Sequence, residues 1–244
     1  MHRNAVREGT SSSDRKWSNW ADQGCFIGRN IRLISDIIEQ HENKEGTILL
    51  LDFEKAFDSL GWDYLFKVLA ILNFGQSFLN WIHTFYSNIS SCVLNNGYLS
   101  EFFSLQRGAR QGCPLSGLLF VLAVEPLAHQ IRINGSIKGL NNGNKISKLS
   151  LYADETTKFV RDVFWATLFT ILDQFGDLSG LKSIKSRTKV LCLGSWKSRL
   201  SIDEPFLISW PKQYVTALGI VFPYNVHVGD KINFDERLAR LKKF

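Results

Sequence analysis

The sequence predicts a mixed α+β domain with a largely antiparallel sheet flanked by helices. Short apolar runs bounded by turn residues read as strands at 47–51, 149–152, 157–160 and 190–193. Apolar residues recur at helical spacing in the intervals between them. A tight turn at 153–155 separates two of the strands and makes them antiparallel neighbours.

In chain order, residues 1–22 read as loop or disorder, with Thr10, Ser11, Ser12 and Ser13 as a flexible patch. Ile31, Ile34 and Ile38, with Leu33 and Ile37, set a helix over 30–42. The run 47–51 is a buried strand with Asp52 at its end. Trp62, Leu65, Phe66, Leu69 and Leu72 form a second helical stripe, and Phe78, Trp81, Ile82 and Phe85 a third. Both stripes read as core packing. Asn96-Gly97 marks a hairpin joining 92–94 to 98–103. Residues 116–130 form a helix apolar nearly all round, hence buried. Phe164, Leu168, Ile171 and Phe175 mark a helix ending at Gly180, a C′ glycine. Strands follow at 190–193 and 218–222, and a basic helix begins at Asn233.

The chain has 244 residues, 45% of them hydrophobic, enough for a sizeable core. No run of eighteen apolar residues occurs, so no membrane span is expected. The opening residues lack the apolar stretch of a secretory signal, which points to an intracellular protein, in nucleus or cytoplasm. A net charge of +6 fits a phosphate-bearing partner. Cys25, Cys92, Cys113 and Cys192 show no paired metal-ligand spacing. Nothing calls for an obligate oligomer.

Asp52 follows an apolar strand, and Asp154 lies in a turn about a hundred residues later. Ionised carboxylates beside such strands are costly unless compensated. Two brought together would repel, and a divalent cation resolves that. Hard oxygen ligands suit Mg²⁺, with Mn²⁺ as a substitute. A pair of such ions about 4 Å apart serves phosphoryl transfer in polymerases and nucleases. Position alone leaves a rival reading open, because a strand-end Asp is as readily a turn former or helix cap.

The surrounding blocks resemble the reverse transcriptases of LINE-type, non-LTR retrotransposons. Asp52-Phe53-Glu54-Lys55-Ala56-Phe57-Asp58 is similar to their first catalytic motif. Arg107-Gly108-Ala109-Arg110-Gln111-Gly112, running on to Ser116, is similar to the second, and Tyr152-Ala153-Asp154-Glu155 to the Tyr-Ala-Asp-Asp box. Ser179-Gly180-Leu181-Lys182, Leu218-Gly219 and, upstream, residues 23–29 resemble further landmarks in the family's order.

The resemblance implies the fingers and palm of a right-hand polymerase over 23–222, with a thumb beginning at 223–244. It implies RNA-directed DNA synthesis from an RNA template, a DNA primer and deoxynucleoside triphosphates. Asp52, Asp154 and Glu155 would hold the metal ions, with the Phe53 carbonyl assisting. Phe57 falls at the steric gate under the sugar, although the residue alone reads as ordinary core. Gln111, Arg110 and Gly112 would meet the incoming nucleotide, and Gly108 and Arg29 the template or primer. Leu218 and Gly219 would lie near the primer grip. Arg187 stands where the family often has a lysine near the triphosphate. It belongs to a basic cluster with Lys182, Lys185 and Lys189 that reads equally as a solvated face.

Three departures bear on activity. Glu155 replaces an Asp, which displaces a carboxylate by about an ångström where placement within about 0.5 Å matters. The block at 23–29 is one residue short, and Ser183-Ile184 replaces the usual Ile-Asn. These mark a truncated or degenerate copy. The rival readings are a catalytically inactive, nucleic-acid-binding remnant and a group II intron maturase-like protein.

Overall fold

The computed structural model describes residues 27–152, 155–161, 165–198, 208, 214–223 and 233. In chain order the elements are α1 (Ile27–Gln40), β1 (Gly46–Leu51), α2 (Ala56–Ser59), α3 (Trp62–Ile71), α4 (Gln76–Phe85), β2 (Ser90–Ser91), β3 (Leu94–Asn95), β4 (Tyr98–Leu99) and β5 (Phe103–Ser104). Then come α5 (Pro114–Ile133), β6 (Leu140–Asn142), β7 (Lys145–Ser147), β8 (Leu149–Tyr152), β9 (Glu155–Val160), α6 (Trp165–Ser179), β10 (Lys189–Leu193), β11 (Tyr214–Ala217) and β12 (Ile220–Pro223). The expected mixed α+β fold is present.

The central sheet has the order β10-β1-β9-β8, antiparallel throughout. β1 lies between β10 and β9 and is packed on both faces, so its run of Thr, Ile and Leu is almost wholly buried. Alternation sends Leu49 and Leu51 into the core under α3, α5 and α6. Ile48 faces the opposite side, where it meets Ile34, Ile37 and Ile38 of α1 and Val215 and Phe222 of β11–β12. Each such side chain contributes about 1.5–3 kcal/mol by leaving water.

α5 is the spine of the first core. Its 20 residues are apolar enough, by length and composition alone, to cross a bilayer. Here Leu119, Phe120, Ala123, Val124 and Leu127 are buried against the sheet and neighbouring helices. Pro114 stands at its start, where a missing N–H costs nothing. The Tyr64 hydroxyl donates to the Ala123 carbonyl at 2.9 Å and ties α3 to it.

Several elements depart from the sequence reading. The hairpin around Asn96-Gly97 is two short ladders, β3–β4 and β2–β5, rather than one long pair. Many of its apolar side chains, such as Tyr98 and Phe102, are exposed. The β6–β7 hairpin, capped by the Gln40 side chain, had no strong apolar signal. Leu218 and Gly219 form the turn between β11 and β12, both with positive φ, instead of opening a strand. β9 begins at Glu155, two residues before the strand start read from the sequence. Residues 1–22, Gln23 to Phe26, Ala153, Asp154, Phe164, Trp210, Pro211 and the helix expected after Asn233 lie outside the described residues.

β9 carries a lysine in the core. Lys158 pairs in register with Leu49 on one side and Leu149 on the other, and is fully buried. Its Nζ has no hydrogen-bond partner among the described residues. Burial pushes its pKa well below the ordinary lysine value, so the folded protein holds it neutral. The unfolded chain binds that proton up to about pH 10.4. Below that pH the unfolded state therefore carries more protons, and stability rises as pH rises towards it. Lys158→Met is expected to stabilise the fold by about 1–3 kcal/mol near neutral pH, because an unpaired buried polar group is removed. The gain shrinks by pH 9.5. Urea denaturation of both proteins at the two pH values checks this, and a gain that does not shrink with pH would sink it.

Candidate active site

Asp52 leaves the sheet where β1 ends. Leu51 is opposite Thr156 on β9, and Tyr152 of β8 is opposite Glu155. Asp52 follows Leu51 in sequence, and Glu155 precedes Thr156. The end of β1 and the joined ends of β8 and β9 therefore occupy one end of the sheet. The structure brings these two motifs to one place, although Asp154 and the Glu155 side chain are not among the described groups. Asp52 lines an open cleft of about 540 Å³ with Leu50, Thr157, Arg187, Lys189 and Thr216. This cleft opens on the sheet face away from α5 and α6.

Beyond Asp52 the backbone is fastened on both sides. On one side the Ile184 N–H donates to the Asp52 carbonyl at 2.9 Å, and the Glu54 N–H donates to Lys182 at 2.9 Å. Phe53 and Ser183 face each other between these bonds, which leaves the Phe53 carbonyl outside the ladder. The Gly61 N–H donates to the Ser179 carbonyl at 2.8 Å. On the other side the Gly108 N–H donates to Leu60 at 2.8 Å and the Ala109 N–H to Phe57 at 2.6 Å. The Trp62 indole N–H closes the seam on the Gly108 carbonyl at 2.8 Å.

Two glycines make these close approaches workable. Gly108 has φ 96, and a Cβ there would meet the Asp58 backbone at 3.1 Å. Gly180 has φ 81, and a Cβ would come within 2.4 Å of the Ser59 carbonyl. Only glycine supplies both the backbone angle and the space.

The seam carries Phe57 to the second motif. Phe57, Arg110, Gln111, Gly112, Cys113 and Ser116 line one pocket of about 430 Å³. The Phe57 ring is half-buried and stacks on Phe120 at 4.7 Å between centroids, so its position is set by the core while one side meets the pocket. The ring is thus core on one side and pocket lining on the other. Arg110, Gln111 and Gly112 are exposed at the rim. Arg29 is exposed in the first turn of α1, and Leu218 and Gly219 sit in the β11–β12 turn. None of these three lines either pocket.

The four clustered cations separate. Lys185 turns towards α6, where it pairs with Asp173 at 2.9 Å and lies 5.6 Å from the Phe169 ring centroid. Lys182 is exposed. Arg187 and Lys189 line the Asp52 cleft, and an Arg187 Nη1 lies 3.5 Å from an Asp52 carboxylate oxygen. Lys189 and Thr216 were missed as site residues by sequence reasoning. The alternation of β10 could have flagged Lys189, which is opposite Leu50. Nothing in the sequence signals Thr216. Among the described residues no three His, Cys, Asp or Glu side chains converge to hold a metal.

Residues 15–221 match the model of the reverse transcriptase (RNA-dependent DNA polymerase) family. The chain belongs to the reverse transcriptase family. A 149 kDa protein of the transposon TX1 from Xenopus laevis is 34% identical over 200 residues, covering 81% of this chain and 15% of that protein. The Pol polyprotein of the type-2 retrotransposable element R2DM from Drosophila melanogaster is 31% identical, covering 52% of this chain and 12% of its own length. The chain thus spans less than a sixth of these two relatives, both encoded by LINE-type elements. Among solved structures, telomerase from Candida albicans matches with a TM-score of 0.57 at 14% identity, over 80% of this chain and 33% of that one. Apo telomerase from Candida tropicalis, truncated from its C-terminal domain, matches at 0.55 and 12%, over 82% and 38%. These two share the fold, and the reverse transcriptase fingers-and-palm architecture accounts for the sheet and its helices.

In this member of the family the pocket beside Phe57 also holds an exposed thiol. Cys113 stands at the residue just before α5 and is exposed, whereas Cys192 is buried and Cys92 half-buried. The backbone N–H of Leu115, helped by Ser116 and the Arg110 charge, holds its thiol below the ordinary cysteine range. Iodoacetamide at neutral pH is expected to label Cys113 well ahead of Cys92 and Cys192, as read by peptide mapping. Equal labelling of the three would contradict this assignment.

Proposed function

We propose that this chain catalyses RNA-directed DNA synthesis, adding deoxynucleotides to a primer 3′-hydroxyl on an RNA template. The observation that carries the reading is the backbone seam from Asp52 to Gly61, which puts a carboxylate cleft and the pocket of Phe57 and Gln111 on one continuous segment. Reverse transcriptases use divalent metal ions. The residues at the cleft suit such an ion. The Asp52 carboxylate is partly solvated, the Phe53 carbonyl lies outside the ladder, and a cation already accompanies Asp52. Asp154 and Glu155 would complete the oxygen set for Mg²⁺. Bound there, the ions would lower the pKa of the primer hydroxyl and stabilise the charge developing on the phosphates.

The remaining roles belong to side chains. Arg187 and Lys189 offer positive charge to the triphosphate from one wall of the cleft. Phe57, braced by Phe120, bars a 2′-hydroxyl by bulk. Gln111 and Arg110 meet the nucleotide and template strand. Gly108 and Gly112 let strands approach the backbone closely. Arg29 would contact template from the fingers, and Leu218-Gly219 would support the primer end. Such a reaction takes place inside the cell, in nucleus or cytoplasm. Glu155, in place of an Asp, favours weak catalysis, and a nucleic-acid-binding remnant is the reading to exclude.

Primer extension on an RNA template with Mg²⁺ is the test. Template-dependent incorporation is expected, reduced at least about 100-fold by Asp52→Ala and raised by Glu155→Asp. No incorporation by either the parent or Glu155→Asp would establish the remnant instead. In the same assay Phe57→Ala should narrow the preference for deoxynucleotides over ribonucleotides by about tenfold or more, the size a lost 1–3 kcal/mol contact produces. An unchanged ratio would remove Phe57 from sugar selection.

A further inference from the structure

Asp52 is accompanied by one of four neighbouring cations, and the choice is informative. Lys185 is engaged by Asp173 on α6, Lys182 points to solvent, and Lys189 lines the cleft without an ion pair to Asp52 among the described residues. Arg187 reaches the carboxylate, Nη1 to Oδ2 at 3.5 Å. Its backbone is held in place. The Arg187 N–H donates to Ile184, and the Ile184 N–H donates to Asp52 itself. The Thr188 hydroxyl also donates to the Ile184 carbonyl, at 3.2 Å. The Arg187 side chain, by contrast, is 68% exposed, against 46% for Asp52. A fixed backbone carrying an exposed guanidinium lets the charge swing while the chain stays still.

We propose that Arg187 is a stand-in cation for Asp52, exchanging that carboxylate for the nucleotide triphosphate when a divalent ion arrives. The idea rests on Asp52 being a metal ligand, as argued above. A divalent ion lies about 2.0–2.1 Å from its oxygen ligands. One on Asp52 would crowd the guanidinium, and the two positive charges would repel each other at that short distance. The released guanidinium then faces a cleft whose incoming ligand is polyanionic, and its planar fork suits phosphate oxygens. Arg187 thus opposes metal binding in the free protein and favours nucleotide binding in the loaded one. In this role it is a positioning residue.

The test is Mn²⁺ binding to the full chain without nucleotide, read from the electron paramagnetic resonance of the free ion. Arg187→Gln is expected to tighten Mn²⁺ about two- to fivefold, the size an exposed ion pair carries. Arg187→Lys should fall between the two. Lys189→Gln removes the same charge from the same cleft without removing an ion pair to Asp52, and should have a smaller effect. A fluorescent deoxynucleoside triphosphate should bind Arg187→Gln more weakly, the opposite sign. Unchanged Mn²⁺ affinity in Arg187→Gln, or equal tightening by Lys189→Gln, overturns the stand-in role. If Asp52→Asn weakens Mn²⁺ binding in that same series, the polymerase reading survives. If Asp52→Asn binds Mn²⁺ as the parent does, Asp52 is no metal ligand, and the stand-in role and the metal site fall together.

Discussion

The site depends on one stretch of backbone, Asp52 to Gly61, that is hydrogen-bonded along both edges. One edge is held by residues 179–184 and the other by residues 107–109. Backbone bonds of this kind have little freedom of length or direction. They transmit the position of the central strand to two motifs far away in sequence. Asp52 can stand at the mouth of its cleft, and Phe57 five residues later can reach the pocket of Gln111, because the same segment is pinned twice. Gly108 and Gly180 are the points of closest approach, and a Cβ at either would push the edges apart.

Rigidity beneath the site comes from the helical core. α5 is buried along much of its length, and Phe120 reaches from it to brace Phe57. The polar surface above is much less constrained. Asp52, Arg187, Arg110 and Gln111 are partly or largely exposed, which suits the exchange of partners proposed for the cleft. The fold tolerates Lys158 in the same core only by keeping it neutral. That burden lies on the sheet face opposite the cleft, with Leu49.

Much of this could be read from the letters. The apolar run of β1 and the nearly all-apolar α5 are strong local signals, because burial on both sides leaves few alternatives. The motifs around Asp52 and Arg107 announced the two halves of the site. Weak local signals failed. The 90–104 hairpin splits into two short ladders, because exposed strands have no core face to hold one register. The turn at Leu218-Gly219 reads as strand from the sequence, because positive φ cannot be recognised from a leucine.

The sequence by itself determined the fold class and the family, since each follows from periodicity or from a local motif, and it singled out Asp52 and Phe57, which line the cleft and the pocket. Tertiary structure alone decided which of four adjacent cations meets Asp52, that Lys189 and Thr216 join its cleft, and that Phe57 is braced from behind. Those outcomes depend on which way each side chain leaves a strand or turn and on what packs against it. Such directions arise only when segments far apart in the chain are brought together.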